Sequence, residues 1–163
     1  MRRRIIREKV VQALYAYEIS GDPVEHVVDT ILPALKSNAP AHEFARRLII
    51  QTIAHTPEID KVIRAKVTNW DFKRIAVLDR LILRMAICEL LHFREIPPKV
   101  SMNEAIELAK LFSTQRSGQF VNGVLDAVLA DLKTAGELSK AGRGLYEGDG
   151  SSRESRIKTR KAT

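Results

Sequence analysis

Residues 72–93 read FKRIAVLDRLILRMAICELLHF, and this stretch decides the fold. Its apolar side chains fall around most of a helical circumference, a pattern that belongs to a helix enclosed on nearly all sides by other helices. Asp71 stands in position to cap it. The polar exceptions Lys73, Arg80 and Arg84 fall at i, i+7 and i+11. They therefore share one narrow line, and the spacing predicts a basic stripe that reaches the surface of an otherwise central helix.

Toward the C-terminus, Pro97-Pro98 breaks the chain, and Ser101-Met102-Asn103-Glu104 has the form of a capping box that starts a helix running through Phe112. Ser113 to Ser117 reads as a polar loop. Phe120, Val121, Val124, Leu125, Val128, Leu129 and Leu132 then build a last core helix ending near Gly136. Gly123 lies inside that helix, where glycine costs about 1 kcal/mol relative to alanine; close packing of a neighbouring helix is the expected reason. Upstream, Thr56-Pro57 opens a helix carrying Ile59, Val62, Ile63 and Val67, and residues 41–55 place Phe44, Ala45, Leu48 and Ile49 on one face. Asp22-Pro23-Val24-Glu25 supplies a cap, a proline at the first helical position and an early glutamate for a helix with Val24, Val27, Val28, Ile31 and Leu35 inward. Residues 4–19 carry the stripe Ile6, Val10, Ala13, Leu14 and Tyr17, with Arg4, Glu8, Gln12 and Tyr15 opposite, and Gly21 ends the pattern.

No stretch alternates as a strand does, and there is no internal repeat. The expected fold is all-α: about seven helices in one domain, residues 1–136, around a central apolar helix. From Glu137 onward Gly, Ser, Lys and Arg dominate, so residues 137–163 are expected to form a flexible basic tail.

Apolar residues make up 45% of the 163, too many for an intrinsically disordered body, and no apolar run reaches the roughly 20 residues of a membrane span. Met1-Arg2-Arg3-Arg4 passes directly into an amphipathic pattern without the long apolar stretch or small-residue cleavage site of a secretory signal. The single cysteine, Cys88, lies within the apolar helix and reads as a small core residue in a reducing compartment. The expected location is the cytoplasm.

The net charge of +7 is concentrated at the two ends. Residues 1–9 hold Arg2, Arg3, Arg4, Arg7 and Lys9 against Glu8; residues 149–163 hold Arg153, Arg156, Lys158, Arg160 and Lys161 against Asp149 and Glu154. The chain between them is formally neutral. Basic ends on a neutral body point to a polyanion, because clustered Lys and Arg bind phosphates and release condensed counterions.

Signals for catalysis are weak. Glu89-x-x-His92 has the Glu-x-x-His spacing that di-iron bundles use twice, but it occurs once, and Glu89 paired with a basic side chain or a helix end is the expected arrangement. Glu104 is explained by the capping box and Glu107 by a solvated face beside Lys110. His26, His42, His55 and His92 are scattered, with no partnered nucleophile and no glycine-rich phosphate loop. No catalytic residue, metal or cofactor is expected. The nucleic-acid features are stronger: the N-terminal arginines offer phosphate contacts, and Gln12 and Tyr15 farther along the same helix can hydrogen-bond or stack on an unpaired base.

Four blocks occur in order: REKVVQALY (7–15), DRLILRMAICEL (79–90), PKVSMNEAIELAKLF (98–112) and SGQFVNGVLD (117–126). Together they resemble the NusB family of bacterial transcription antitermination factors over about residues 2–132. The resemblance implies an all-α domain of two small helical bundles. It also implies binding to the single-stranded boxA element of ribosomal RNA leader transcripts, together with NusE, a small-subunit ribosomal protein, within the RNA polymerase antitermination complex. By position it implies phosphate contacts from Arg3, Arg4 and Arg7 with Gln12 nearby, base contacts from Phe120 and Asn122, and a NusE surface at Tyr15 and Asp79 shared with Arg80. Arg2 joins the phosphate set by its charge. Arg116 stands where members of the family often carry an acidic residue, which directs attention to residues 116–122 for RNA affinity and sequence preference. Two other readings stand beside this one: a protein-interaction module that homodimerises and hides the RNA face, and a domain related to the helical part that precedes the catalytic region of an RNA cytosine methyltransferase.

Overall fold

The computed structural model describes residues 3–33, 38–67 and 72–145. Seven α-helices lie among them: α1 (Arg3–Ser20), α2 (Val24–Ile31), α3 (Ala39–Ala54), α4 (Thr56–Lys66), α5 (Val77–His92), α6 (Pro98–Phe112) and α7 (Gln115–Ala135). The described residues contain no strand, as the periodicity predicts. Helix α5 is the centre. Every residue from Leu81 to Leu90 is buried, because α1 and α3 pack on it from the first helical set while α4, α6 and α7 enclose it from the second. Phe93, just beyond its end, is fully buried and meets Phe44 of α3 edge-on at 5.9 Å between ring centroids.

Helix boundaries follow local chemistry. Asn38 caps α3 by accepting from the Ala41 amide at 3.1 Å, and Thr114 caps α7 by accepting from the Ser117 amide at 3.1 Å. The Thr114 cap starts α7 five residues before Phe120, so the expected 113–117 loop is largely helix. The predicted 72–93 helix is split. Phe72–Arg74 forms a separate 3₁₀ turn, Ala76 has an extended backbone (ψ 138°), and α5 begins at Val77. Asp71, the expected cap, and Leu35, an expected core residue, lie outside the described residues.

Three expectations are corrected by packing. Helix α6 begins one turn before the proposed capping box, with Pro98 in its first turn. Ser101 is thereby an interior residue whose hydroxyl donates to Glu89 Oε1 at 3.0 Å, and Glu104 is occupied by Arg4. Arg84 does not continue a surface stripe: it is 8% exposed and grips Asp60 of α4 with two bonds of 2.8 and 2.9 Å. Gly123 has open space where a Cβ would stand, whereas a Cβ at Gly118 would lie 2.8 Å from Lys110 Cγ. The close approach of α6 and α7 therefore falls at Gly118. Gly123→Ala should raise stability by about 1 kcal/mol in urea unfolding; a loss of stability would mean that a neighbour occupies this face after all.

Residues 137–145, the first part of the expected tail, make contacts with the end of α5 and the turn after it. Ala141 N–H donates to Arg94 C=O at 3.0 Å, and Gly144 is buried where any Cβ would lie 1.8 Å from that same oxygen. Lys140 Nζ donates to the carbonyls of Glu89 (2.9 Å) and Phe93 (2.8 Å), closing the C-terminal end of α5. Burial pushes the Lys140 ammonium down to about 8. Residues 146–163, the rest of that expected tail, lie outside the described residues. No described helix is long and apolar enough to cross a membrane.

Candidate nucleic-acid interface

The first turns of α1 separate the N-terminal arginines by fate. Arg3 is exposed, with its guanidinium 3.8 Å from the centroid of the Phe44 ring. Arg4 is half exposed and forms a bidentate pair with Glu104 of α6 at 3.0 and 3.2 Å, which holds its guanidinium above the ordinary value. Arg2 lies outside the described residues.

Arg7 corrects the expectation of a phosphate contact. It is 1% exposed, and its Nε and Nη2 bond Glu89, also fully buried, at distances down to 2.6 Å. Burial opposes its charge, but the Glu89 carboxylate outweighs that and keeps the group firmly protonated. With Ser101 on the same carboxylate, Arg7 is a buried tie between α1, α5 and α6. It presents nothing to a polyanion outside.

Farther along α1, Gln12 and Tyr15 are exposed, as the helical face predicts. Arg80 is mostly covered, paired with Glu18 at 3.3 Å, and has Phe72 beneath it with 5.7 Å from guanidinium to ring centroid.

The start of α7 gathers the remaining candidates. Arg116 is exposed on its first turn and Phe120 is half-buried one turn later, so the two share a face. They border a cleft of about 460 Å³ that is completed by Arg74, Ile75, Ala76, Asp79, Thr114 and Ser117. Asp79 forms its wall. One of its oxygens, Oδ2, accepts from Ser117 Oγ at 3.1 Å; the other, Oδ1, is buried without a hydrogen-bond partner. Burial, eased by the Ser117 bond, pushes the Asp79 carboxyl up, so it holds a proton more readily than an exposed aspartate. Asn122 is exposed on a different face of α7 and does not line this cleft. The tertiary structure thus brings Asp79, expected at a protein partner, together with Arg116 and Phe120, expected at RNA. It adds Arg74, which the sequence reading passed over because nothing in its local pattern marks it.

Chemically, the cleft joins two cations, an aromatic edge and an unsatisfied acceptor. The two cations can hold a phosphate and the aromatic ring can cover a flat base, while the buried Asp79 oxygen stays within the wall. Between the cleft and the first turn of α1 lies the exposed side of α6. Glu104 there meets Arg4, and Lys110 meets Glu107 at 3.3 Å and packs over Gly118.

Among the described residues, seven helices around the buried α5 present a cationic first turn and a polar-aromatic cleft, an arrangement able to bind a nucleic acid. The NusB family model matches residues 4–130, and the chain belongs to the NusB family. It is similar to the transcription antitermination protein NusB of Salinibacter ruber, at 46% identity over 144 residues covering 88% of this chain and 90% of that protein. It is likewise similar to the solved T. maritima NusB, with 36% identity, a TM-score of 0.75, and coverage of 80% of this chain and 92% of that one. A chain in the crystal structure of antitermination factors NusB and NusE in complex with dsRNA matches at 25% identity and a TM-score of 0.72, covering 79% of this chain and 96% of that one.

One cluster escaped the sequence reading. His55 and His92, 37 residues apart, stack at 3.8 Å between ring centroids and share the carboxylate of Glu58. The signal was half present, since His55 and Glu58 stand one helical turn apart. His92 joins them only through tertiary packing.

Proposed function

We infer that this protein is a transcription antitermination factor. It binds single-stranded boxA RNA of ribosomal RNA leader transcripts, takes NusE as its protein partner, and helps RNA polymerase read through terminators as part of the antitermination complex. Its role is binding without a catalytic step, carried out in the cytoplasm. The observation that carries this reading is the convergence of Arg74, Arg116, Phe120 and the half-satisfied Asp79 on one cleft in a member of the NusB family. Arg3 and Arg4 supply phosphate contacts at the start of α1, and Arg116 and Phe120 engage the RNA at the cleft. Gln12 and Asn122 add exposed amides, while Tyr15 and the edge around Asp79 and Arg80 serve the protein partner.

The test is a binding titration of the full chain with a boxA RNA and a scrambled RNA, each with and without NusE. Preference for boxA that grows with NusE is expected; equal, NusE-independent affinities would sink the reading. Arg4→Ala should weaken RNA binding and reduce the slope of log K against log salt by about 0.7, one phosphate contact on a single strand. An unchanged slope would remove Arg4 from the interface.

A further inference from the structure

The geometry of the cluster at the corner between α3 and α4 is unlike that of an ordinary surface ion pair. His55 is the hinge residue between the two helices, Glu58 lies in the first turn of α4, and His92 lies in the last turn of α5. Glu58 Oε2 is 3.1 Å from His55 Nδ1 and 3.5 Å from His92 Nε2, and one ligand atom from each of the three residues falls within 4.8 Å of the others. Donor atoms around a tetrahedral ion with metal–ligand bonds of about 2.0–2.1 Å sit about 3.4 Å apart.

Two further observations concern electron pairs. The other nitrogen of His55, Nε2, faces Gln51 Oε1 at 3.1 Å. In the tautomer whose Nε2–H donates to that oxygen, Nδ1 carries no proton and turns its lone pair toward Glu58, an arrangement that a cation between them would satisfy. His92 Nε2, buried at the atom level, has no hydrogen-bond partner. One nitrogen of each histidine and one Glu58 oxygen thus lie close together, and the outer nitrogen of His55 meets a neighbouring amide, the arrangement that orients a metal-bound histidine.

We propose that His55, Glu58 and His92 form a binding site for a single divalent transition ion of the zinc class, with the remaining coordination positions filled by water. Two imidazoles and one carboxylate select zinc, cobalt or nickel over magnesium and calcium, which take oxygen ligands. Coordination requires the two rings to fan apart from their 18° stack so that their lone pairs converge, a rotation of side chains with the helices held in place. The bound ion pins the α3–α4 corner to the end of α5.

The test uses the full chain, stripped with chelator and dialysed, and titrated with Co²⁺ alone while visible absorption is recorded, then with Zn²⁺ in competition. One equivalent of cobalt should bind with the visible bands of a nitrogen-ligated site, and zinc should displace it. His55→Gln and His92→Gln should each weaken cobalt binding at least about tenfold, and Glu58→Gln should weaken it as well. His26→Gln and His42→Gln should bind as the parent does. Zinc should raise the thermal midpoint of the parent chain and leave that of His92→Gln unmoved; circular dichroism in chelator verifies that each variant is folded. Absence of cobalt binding, or binding unaltered in both His55→Gln and His92→Gln, overturns the proposal.

Discussion

Arg7→Ala should lose about 3–5 kcal/mol of folding stability, a large fraction of what a domain of this size possesses. The reason lies in what the substitution leaves behind. Glu89 is fully buried at the middle of the central helix and draws bonds from Arg7 at 2.6–3.2 Å and from Ser101 at 3.0 Å. Without the guanidinium, a carboxylate remains in the core with one hydroxyl to support it. A buried charge stripped of its partner costs far more than the net worth of the pair, because the desolvation of both groups has already been incurred. Urea unfolding should show a lower midpoint with an unchanged slope. Replacing both partners together, Arg7→Met with Glu89→Leu, should recover most of the loss, since neither desolvated charge then remains. Arg4→Ala supplies the contrast: its pair with Glu104 is half exposed, and stability should move by no more than about 0.5 kcal/mol. A loss below about 1 kcal/mol for Arg7→Ala would show that water or another cation reaches Glu89.

Arg84→Ala should cost about 3 kcal/mol by the same logic at a second junction. Its guanidinium forms a two-point bond to Asp60 of α4 at 2.8 and 2.9 Å, and Nη1 stands 3.5 Å from Glu18 of α1. Both partners of the main bond are only about a tenth exposed, at 10% and 11% of their side chains. One side chain therefore joins the two helical sets through α5. Arg84→Met retains much of the aliphatic packing yet strands the Asp60 carboxylate, so it should lose nearly as much as alanine does. Asp60→Asn should lose less, because an amide oxygen still accepts one of the two bonds. If Arg84→Met were as stable as the parent chain, packing rather than charge would be the role of this residue.

These two arginines mark how far the sequence could be read. The core stripes of α1, α3, α4 and α7 were legible because burial of apolar groups repeats with the helical period, and that period is a local property. The exposed positions of Gln12 and Tyr15 were legible for the same reason. Arg7 and Arg84 were not, since an arginine in a helical pattern looks the same whether it faces water or a buried carboxylate. Its partner is 82 residues away for Arg7 and 24 for Arg84. Likewise Ser101-x-x-Glu104 fits a capping box in isolation, but the start of α6 at Pro98 places both residues inside the helix, one against Glu89 and the other against Arg4.

The candidate site divides along the same line. The residues carried by the family blocks were named from sequence, yet the cleft that gathers Asp79, Arg116 and Phe120 exists only because α5 and α7 meet, and Arg74 enters it from a turn with no distinctive pattern. By itself the sequence determined the number of helices, a central apolar helix within residues 72–93, the family and the cationic start of α1, all of which are written in local periodicity and contiguous motifs. Only the tertiary structure decided which charges are spent inside the protein, which remain outside, and that two distant histidines meet over one carboxylate. Desolvation makes that decision: a charge enters the core where the fold supplies an opposite charge at bonding distance, and such distances are set by the packing of helices remote in sequence.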